Sequence, residues 1–251
     1  SLLVLELRER RLTRFFDRVF ASESRTLVFL AFSSLILVRY YFAPGESSWV
    51  ADTNFHNTYA WITSRSFAQG EIPIWTNYLC TGSPFLQFYG FLFFYLVGLF
   101  DLVFRDVFFS IKWVLALGHV ASGVGMYLFV RSMLRSRRAG FLAGIAFVLT
   151  FWHTQHVFMM GRLPLSVFYG LLPWPFYFCE RLRLRSRRLP SAIGGALVLA
   201  CLVFTHPGYG FWAALFLAVH MVLRPVLAGR NLFTVGHSLL LFGGGLVLSA
   251  Y

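Results

Sequence analysis

The stretch VFFSIKWVLALGHVASGVGMYLFVRSMLRSRR, residues 107–138, decides the fold. Residues 107–130 carry one lysine and no other full charge. As a helix they reach about 36 Å, enough for the ~30 Å hydrocarbon core of a bilayer. Arg131, Arg135, Arg137 and Arg138 close the run. An apolar segment shut by arginines is the pattern of a membrane helix emerging on its cytoplasmic side.

The rest of the chain agrees with that reading. Of 251 residues, 58% are apolar, 19% aromatic and 13% charged. Soluble domains carry about 25% charged residues, so too little polar surface remains to cover a water-soluble globule. The sequence therefore predicts an all-α integral membrane protein, a multi-span bundle. It stops inside an apolar run at Ala250 and Tyr251 and does not begin with Met, which reads as a piece of a longer protein. The segment from Ser1 to Arg25 mixes both charge signs too densely for a signal peptide.

The net charge of +12 is concentrated in four arginine clusters between apolar runs: Arg8 to Arg25, Arg131 to Arg138, Arg181 to Arg188, and Arg224 with Arg230. This distribution argues against nucleic acid and for anionic lipids of the cytoplasmic leaflet as partners of the clusters. Residues 1–25 read as an amphipathic helix on the inner face, with Leu3, Leu7, Phe15 and Val19 as its buried stripe. The first span covers about 26–43, which puts the N-terminus in the cytoplasm and the chain in the inner membrane. A long outer loop follows over 44–84. Within it Phe55, Tyr59 and Ile62 repeat at helical spacing after Asp52, a candidate cap. Gly70 and Pro73 end that helix, and Ser83 with Pro84 predicts the start of the next.

The run from Phe85 to Phe104 sets the topology. If it crosses, the two middle arginine clusters lie outside. If it only dips into the membrane, 17 of the 22 lysines and arginines fall inside. The dipping helix, 85–104, is the expectation, and nine of its twenty residues are Phe or Tyr, rings that concentrate at the interface. The remaining spans are expected over 107–130, 139–158, 163–180, 190–206, 208–223 and 231–250. Gly140, Gly144, Gly194, Gly195 and Gly243 to Gly245 lie in them as packing positions. Cys80, Cys179 and Cys201 have no metal-type spacing and read as unpaired.

The outer side collects Glu46, Asp52, His56, Arg65, His153, His156, Arg162 and His206, so any chemistry belongs there. Asp52 and His56 share a helix face at i,i+4. Such a pair can bind a divalent metal or act as a base and its helper; it is also what a helix cap and an exposed histidine look like. Arg162, alone between two spans, suits a lipid phosphate or simple snorkelling.

Taken together, Asp52 and His56, then Gly70, Pro73 and Trp75, then Gly82, Pro84 and Tyr89 give the loop a specific pattern. With Gly161, Arg162 and Pro164, then Pro173, and Thr205 to Pro207, it resembles a bacterial and archaeal membrane-protein family labelled "6-pyruvoyl-tetrahydropterin synthase-related". That family is similar to the C-type glycosyltransferases, whose donors are polyprenyl-phosphate sugars and whose first outer loop holds a catalytic acid. The resemblance implies transfer of a sugar from a polyprenyl-phosphate donor at the outer face. Asp52 and His56 would be catalytic, Arg162, His206, Trp75 and Arg65 would bind substrate, and magnesium or manganese would sit on Asp52 and His56. The family often has a glutamate shortly after the arginine; Leu163 to Val167 carries none. Two other readings stand beside this one: a non-catalytic protein that binds or moves a lipid-linked glycan, and a structural subunit.

Overall fold

The computed structural model describes residues 11, 13–44, 52–79, 81–87, 89–150, 155–157, 159–228 and 235–250. Most of the expected interfacial helix before Arg11, Glu46 of the outer loop, and His153 lie outside them.

The protein is an all-α membrane bundle with one small hairpin. Helix α1 (Thr13–Phe20) meets α2 (Glu23–Leu37) at 113°. The Ser22 hydroxyl caps α2 by accepting from the Arg25 amide at 3.2 Å. A 3-10 turn, Arg39–Phe42, extends it. The loop helix α3 spans Thr53–Ala68 and ends in the left-handed turn at Gly70.

The expected helix start at Ser83 and Pro84 is not there. These residues form strand β2, which pairs antiparallel with β1 (Trp75–Thr76) in the register Trp75 to Pro84 and Thr76 to Ser83. Phe85 N–H donates to Ile74 O at 3.0 Å and closes the hairpin. Thr81, Gly82 and Leu86 take positive φ, which no continuing helix tolerates. The next helix, α4, begins only at Leu92 and runs to Phe104. Helix α5 (Val107–Leu134) then starts from Asp106, whose carboxylate accepts from the Phe109 amide. After it come α6 (Arg137–Val148), α7 (Pro164–Leu171), α8 (Pro173–Arg181), α9 (Arg188–Thr205), α10 (Pro207–Leu227) and α11 (Val235–Leu248).

Three helical runs among the described residues are long and apolar enough to cross a membrane: Val107–Leu134, Arg185–Thr205 and Pro207–Leu227. The sequence expectation of unbroken spans over 139–158 and 163–180 differs from what forms. Helix α6 stops at Val148. Pro173 and Pro175 lack the amide protons that would bond Tyr169 and Leu171, so the second run divides into α7 and α8.

Helix α5 is the central column, packed by α2, α4, α6, α7 and α8. Glycines permit the close approaches. A Cβ on Gly118 would lie 2.7 Å from Ser166 O, and one on Gly170 2.7 Å from Gly118 O. Gly123 and Gly144 do the same between α5 and α6. A second core, around α9, holds Leu165, Phe168, Leu199, Leu202, Leu217 and Leu241. Phe211, Leu215, Val219, Val222 and Val226 of α10 stay exposed along one side, an apolar stripe suited to lipid.

The bundle has two chemically distinct ends. At one, Arg131 pairs with Glu23 at 2.7 Å and Arg138 with Asp17 at 2.8 Å. There too Arg137 donates to Phe20 O, and Arg183 to Ser132 O. The start of α2, the α5–α6 turn and the α8–α9 turn therefore meet at this arginine end. At the other, Lys112 near the start of α5 donates to Ala43 O at 2.7 Å. Gly90, just before α4, packs on the Thr205 carbonyl at the far end of α9. Since α4 ends at Phe104, beside the start of α5, both of its ends belong to this second end. Its 13 residues reach about 20 Å as a helix.

Candidate functional site

Four segments far apart in sequence converge at the second end. The first turn of α3 supplies Asp52 and His56, the approach to α4 supplies Tyr89, the turn before α7 supplies Gly161 and Arg162, and the α9–α10 junction supplies His206.

Asp52 sits at the N-cap position of α3, but its side chain does not cap. Its Oδ2 lies 3.5 Å from Arg162 Nε, and its amide donates to Met160 O at 3.3 Å. The carboxylate therefore faces the 160–162 turn and not its own helix, which corrects the capping role expected for it. Asp52 is 51% and Arg162 43% exposed, so the pair is reachable from solvent. The ion pair is made through Nε of Arg162. Among the described residues its two terminal nitrogens have no hydrogen-bonded partner, and such a fork can bind phosphate through two parallel bonds.

His56 does something different from what its spacing suggested. It is 2% exposed. Its Nδ1–H donates to the Gly161 carbonyl at 2.7 Å, and its Nε2 accepts from the Tyr89 hydroxyl at 2.9 Å. Burial pushes its pKa down, the Gly161 bond and Asp52 oppose that, and Arg162 and His206 add to the lowering. Burial also raises the Tyr89 hydroxyl, with Asp52 next, which keeps it a donor. His56 is thus a buried neutral strut that locks the Gly161–Arg162 turn onto α3. It is a positioning residue and not a base that can reach a substrate.

The metal reading of Asp52 and His56 does not fit this arrangement. Both imidazole nitrogens are engaged, and one carboxylate oxygen is turned to an arginine. Among the described residues no group of three or more His, Cys, Asp or Glu side chains stands together.

Arg162 is anchored further by its amide, which donates to His156 O at 2.9 Å. His156 shares a 2.7 Å hydrogen bond with the Tyr169 hydroxyl and stacks on that ring. His206 caps α10, its Nδ1 accepting from the Tyr209 amide at 3.3 Å. Burial, then the charge of Arg162, lowers its pKa. It is near enough to the site to act on His56 electrostatically.

Trp75 and Arg65 are not part of this cluster. Trp75 is exposed in the hairpin and donates to Asn77 Oδ1. Arg65 lies over the Trp61 ring, 5.0 Å from its centroid. Thirteen residues along α3 separate it from Asp52, about 20 Å of helix. Conversely, the hydroxyls of Tyr89 and Tyr169 and the Gly161 carbonyl build the site without having been assigned to it. The signals were thin: one tyrosine ends the loop pattern, and the glycine precedes the arginine.

Neither a curated protein nor a solved structure matches the chain. A family described as "6-pyruvoyl-tetrahydropterin synthase related domain; membrane protein" matches residues 86–251. The matched region holds Tyr89, Gly161, Arg162 and His206, and Asp52 and His56 precede it. The chain belongs to this family of 6-pyruvoyl-tetrahydropterin synthase related membrane proteins.

Proposed function

We propose that the protein handles a polyprenyl-phosphate-linked sugar at the outer face of the inner membrane and transfers the sugar to an acceptor hydroxyl. The observation that carries this reading is the solvent-accessible Asp52–Arg162 pair. A free carboxylate oxygen and a free guanidinium fork stand side by side at one end of a lipid-embedded bundle. The resemblance of the family to C-type glycosyltransferases, drawn from the sequence alone, supports it.

The chemistry divides between the two residues. Asp52 accepts the proton from the acceptor hydroxyl. The acceptor oxygen bonds to the anomeric carbon of the sugar, and the bond from that carbon to the phosphate oxygen breaks. The electron pair leaves with the polyprenyl phosphate, whose charge the terminal nitrogens of Arg162 receive. His56, through Gly161, holds Arg162 in place. The proposed hard cation, magnesium or manganese, enters no step, since the Asp52–His56 pair does not provide its site.

A second reading has the same residues bind or move a lipid-linked glycan without turnover. It is favoured by the 3.5 Å ion pair, which engages one oxygen of the would-be base. One experiment separates them. Purified protein in nanodiscs receives a radiolabelled polyprenyl-phosphate hexose, and release of polyprenyl phosphate and retention of lipid are both measured. Transfer requires that Asp52→Asn abolish release while lipid is still retained. Equal release from the variant and the parent would sink the enzymatic reading.

A further inference from the structure

We propose that the arginine end contains a discrete binding site for a phosphate-bearing anion, set in a cavity of about 1170 Å³ between the α1–α2 corner, the α5–α6 turn and the α8–α9 turn. The site is separate from the Asp52–Arg162 pair and does not rest on the function proposed for it.

The cavity walls carry seven arginines and three acids. Each acid is already matched: Asp17 by Arg138, Glu23 by Arg131, and Glu180 by Arg183 and by Arg224, which lies outside the cavity. That leaves Arg135, Arg137, Arg181 and Arg188 with no carboxylate partner among the described residues. The four excess positive charges face a common space larger than most small-molecule sites. Three separate turns bring these arginines to the rim and walls of one open hollow, where Arg135 is exposed and Arg137 and Arg188 also donate to the Phe20 and Leu182 carbonyls.

Arg181 lines the cavity, where its NH1 donates to the Tyr177 hydroxyl, while its Nε is closed off within the protein and faces away from the cavity. Arg135 caps α5 with φ of 57°, the left-handed conformation that glycine usually supplies. Guanidinium forks recognise phosphate oxygens in pairs, so the chemistry is that of a phosphate group. It comes either from an anionic lipid headgroup or from a soluble phosphorylated compound.

The test uses the whole protein, delipidated in neutral detergent. Its melting temperature is followed while inorganic pyrophosphate is titrated in, and separately while phosphatidylglycerol is titrated into the micelles, with phosphatidylcholine as the control lipid. A saturable rise with pyrophosphate assigns a soluble ligand. A rise with phosphatidylglycerol alone assigns a headgroup. Arg181→Gln and Arg135→Gly should each shift the half-saturating concentration up by about tenfold. Arg135→Gly should at the same time raise the ligand-free melting temperature by relieving the left-handed arginine, so loss of binding there is not loss of fold. Arg39→Gln, at the opposite end, should respond as the parent does. No saturable rise with either ligand overturns the proposal, as does a parental response from both cavity variants.

Discussion

At the scale of single residues the site turns on His56, whose two ring nitrogens connect α3 to the Gly161 carbonyl and to Tyr89. Because burial depresses its folded pKa below the ordinary value of about 6.5, the unfolded chain takes up a proton first as the pH falls. Stability should therefore be constant above that value and decline below it, until the folded state also protonates. Thermal melts of the parent and of His56→Asn, which keeps a donor to Gly161, should differ in slope between pH 7 and 5. Identical slopes would remove His56 from the explanation. Gly161 holds φ of 64°. Gly161→Ala should cost about 1 kcal/mol and, under the function proposed above, weaken donor-lipid binding through Arg162, read as a raised KM. Asp52 and Arg162 were legible in the sequence as isolated charges in a polar setting. The burial of His56 was not, because i,i+4 spacing on a helix says nothing about what covers the face. Trp75 and Arg65 stand apart from the Asp52–Arg162 cluster for a related reason: sharing a loop does not mean sharing a site.

At the scale of elements, local signals and tertiary demands compete. Ser83 followed by Pro84 is a sound helix start taken alone, and hairpin closure onto Trp75 and Thr76 overrides it. Apolar length marked the runs over 139–158 and 163–180, while the prolines that divide the second were visible but outweighed by hydropathy. The glycine positions were easier to read, since small residues in apolar helices have few uses other than close packing. Gly118→Ala would drive a methyl group into the Ser166 carbonyl and should lower stability by about 1–3 kcal/mol, measured by thermal melting. A larger penalty is expected at Glu180, a residue the sequence reading passed over because it sits at the edge of an expected span. Its buried carboxylate accepts from Arg224 Nε at 3.0 Å and His220 Nε2 at 3.2 Å and pairs with Arg183 at 3.0 Å. Glu180→Ala leaves the Arg183 and Arg224 guanidinium groups without their carboxylate and should cost about 3–5 kcal/mol. An unchanged melting temperature would show the network to be dispensable.

For the whole molecule, the polarity of the bundle is the main physical statement. The same chain end that gathers Asp17 and Glu23 also gathers Arg131, Arg138 and Arg183. Glu23 and Arg131 thus meet at one end of the bundle, and both ends of α4 lie at the other; in a bilayer this arrangement would make α2 and α5 crossings and α4 a segment that returns to its own side. Charge counting along the sequence proposes that arrangement in the membrane, since arginine placement is a property of the whole chain. Single cysteines at Gln69 and Ser186, both exposed, test it in a cysteine-free background. They should label from opposite faces of sealed vesicles, Gln69→Cys from outside. Labelling from one face would refute the arrangement.

The bond between His56 and Gly161 spans 105 residues of chain. Ribosomes add about 5–20 residues per second, so α3 emerges roughly 5–20 s before the carbonyl that completes it. During that interval the imidazole has no Gly161 to donate to, and Asp52 has no arginine beside it. The young helix must wait in headgroup water, where both groups stay hydrated and, with Arg65 facing out, the segment is too polar to insert by itself. The order of synthesis thus favours the outcome in which this loop stays at the surface, and the site closes only when the second half of the bundle arrives.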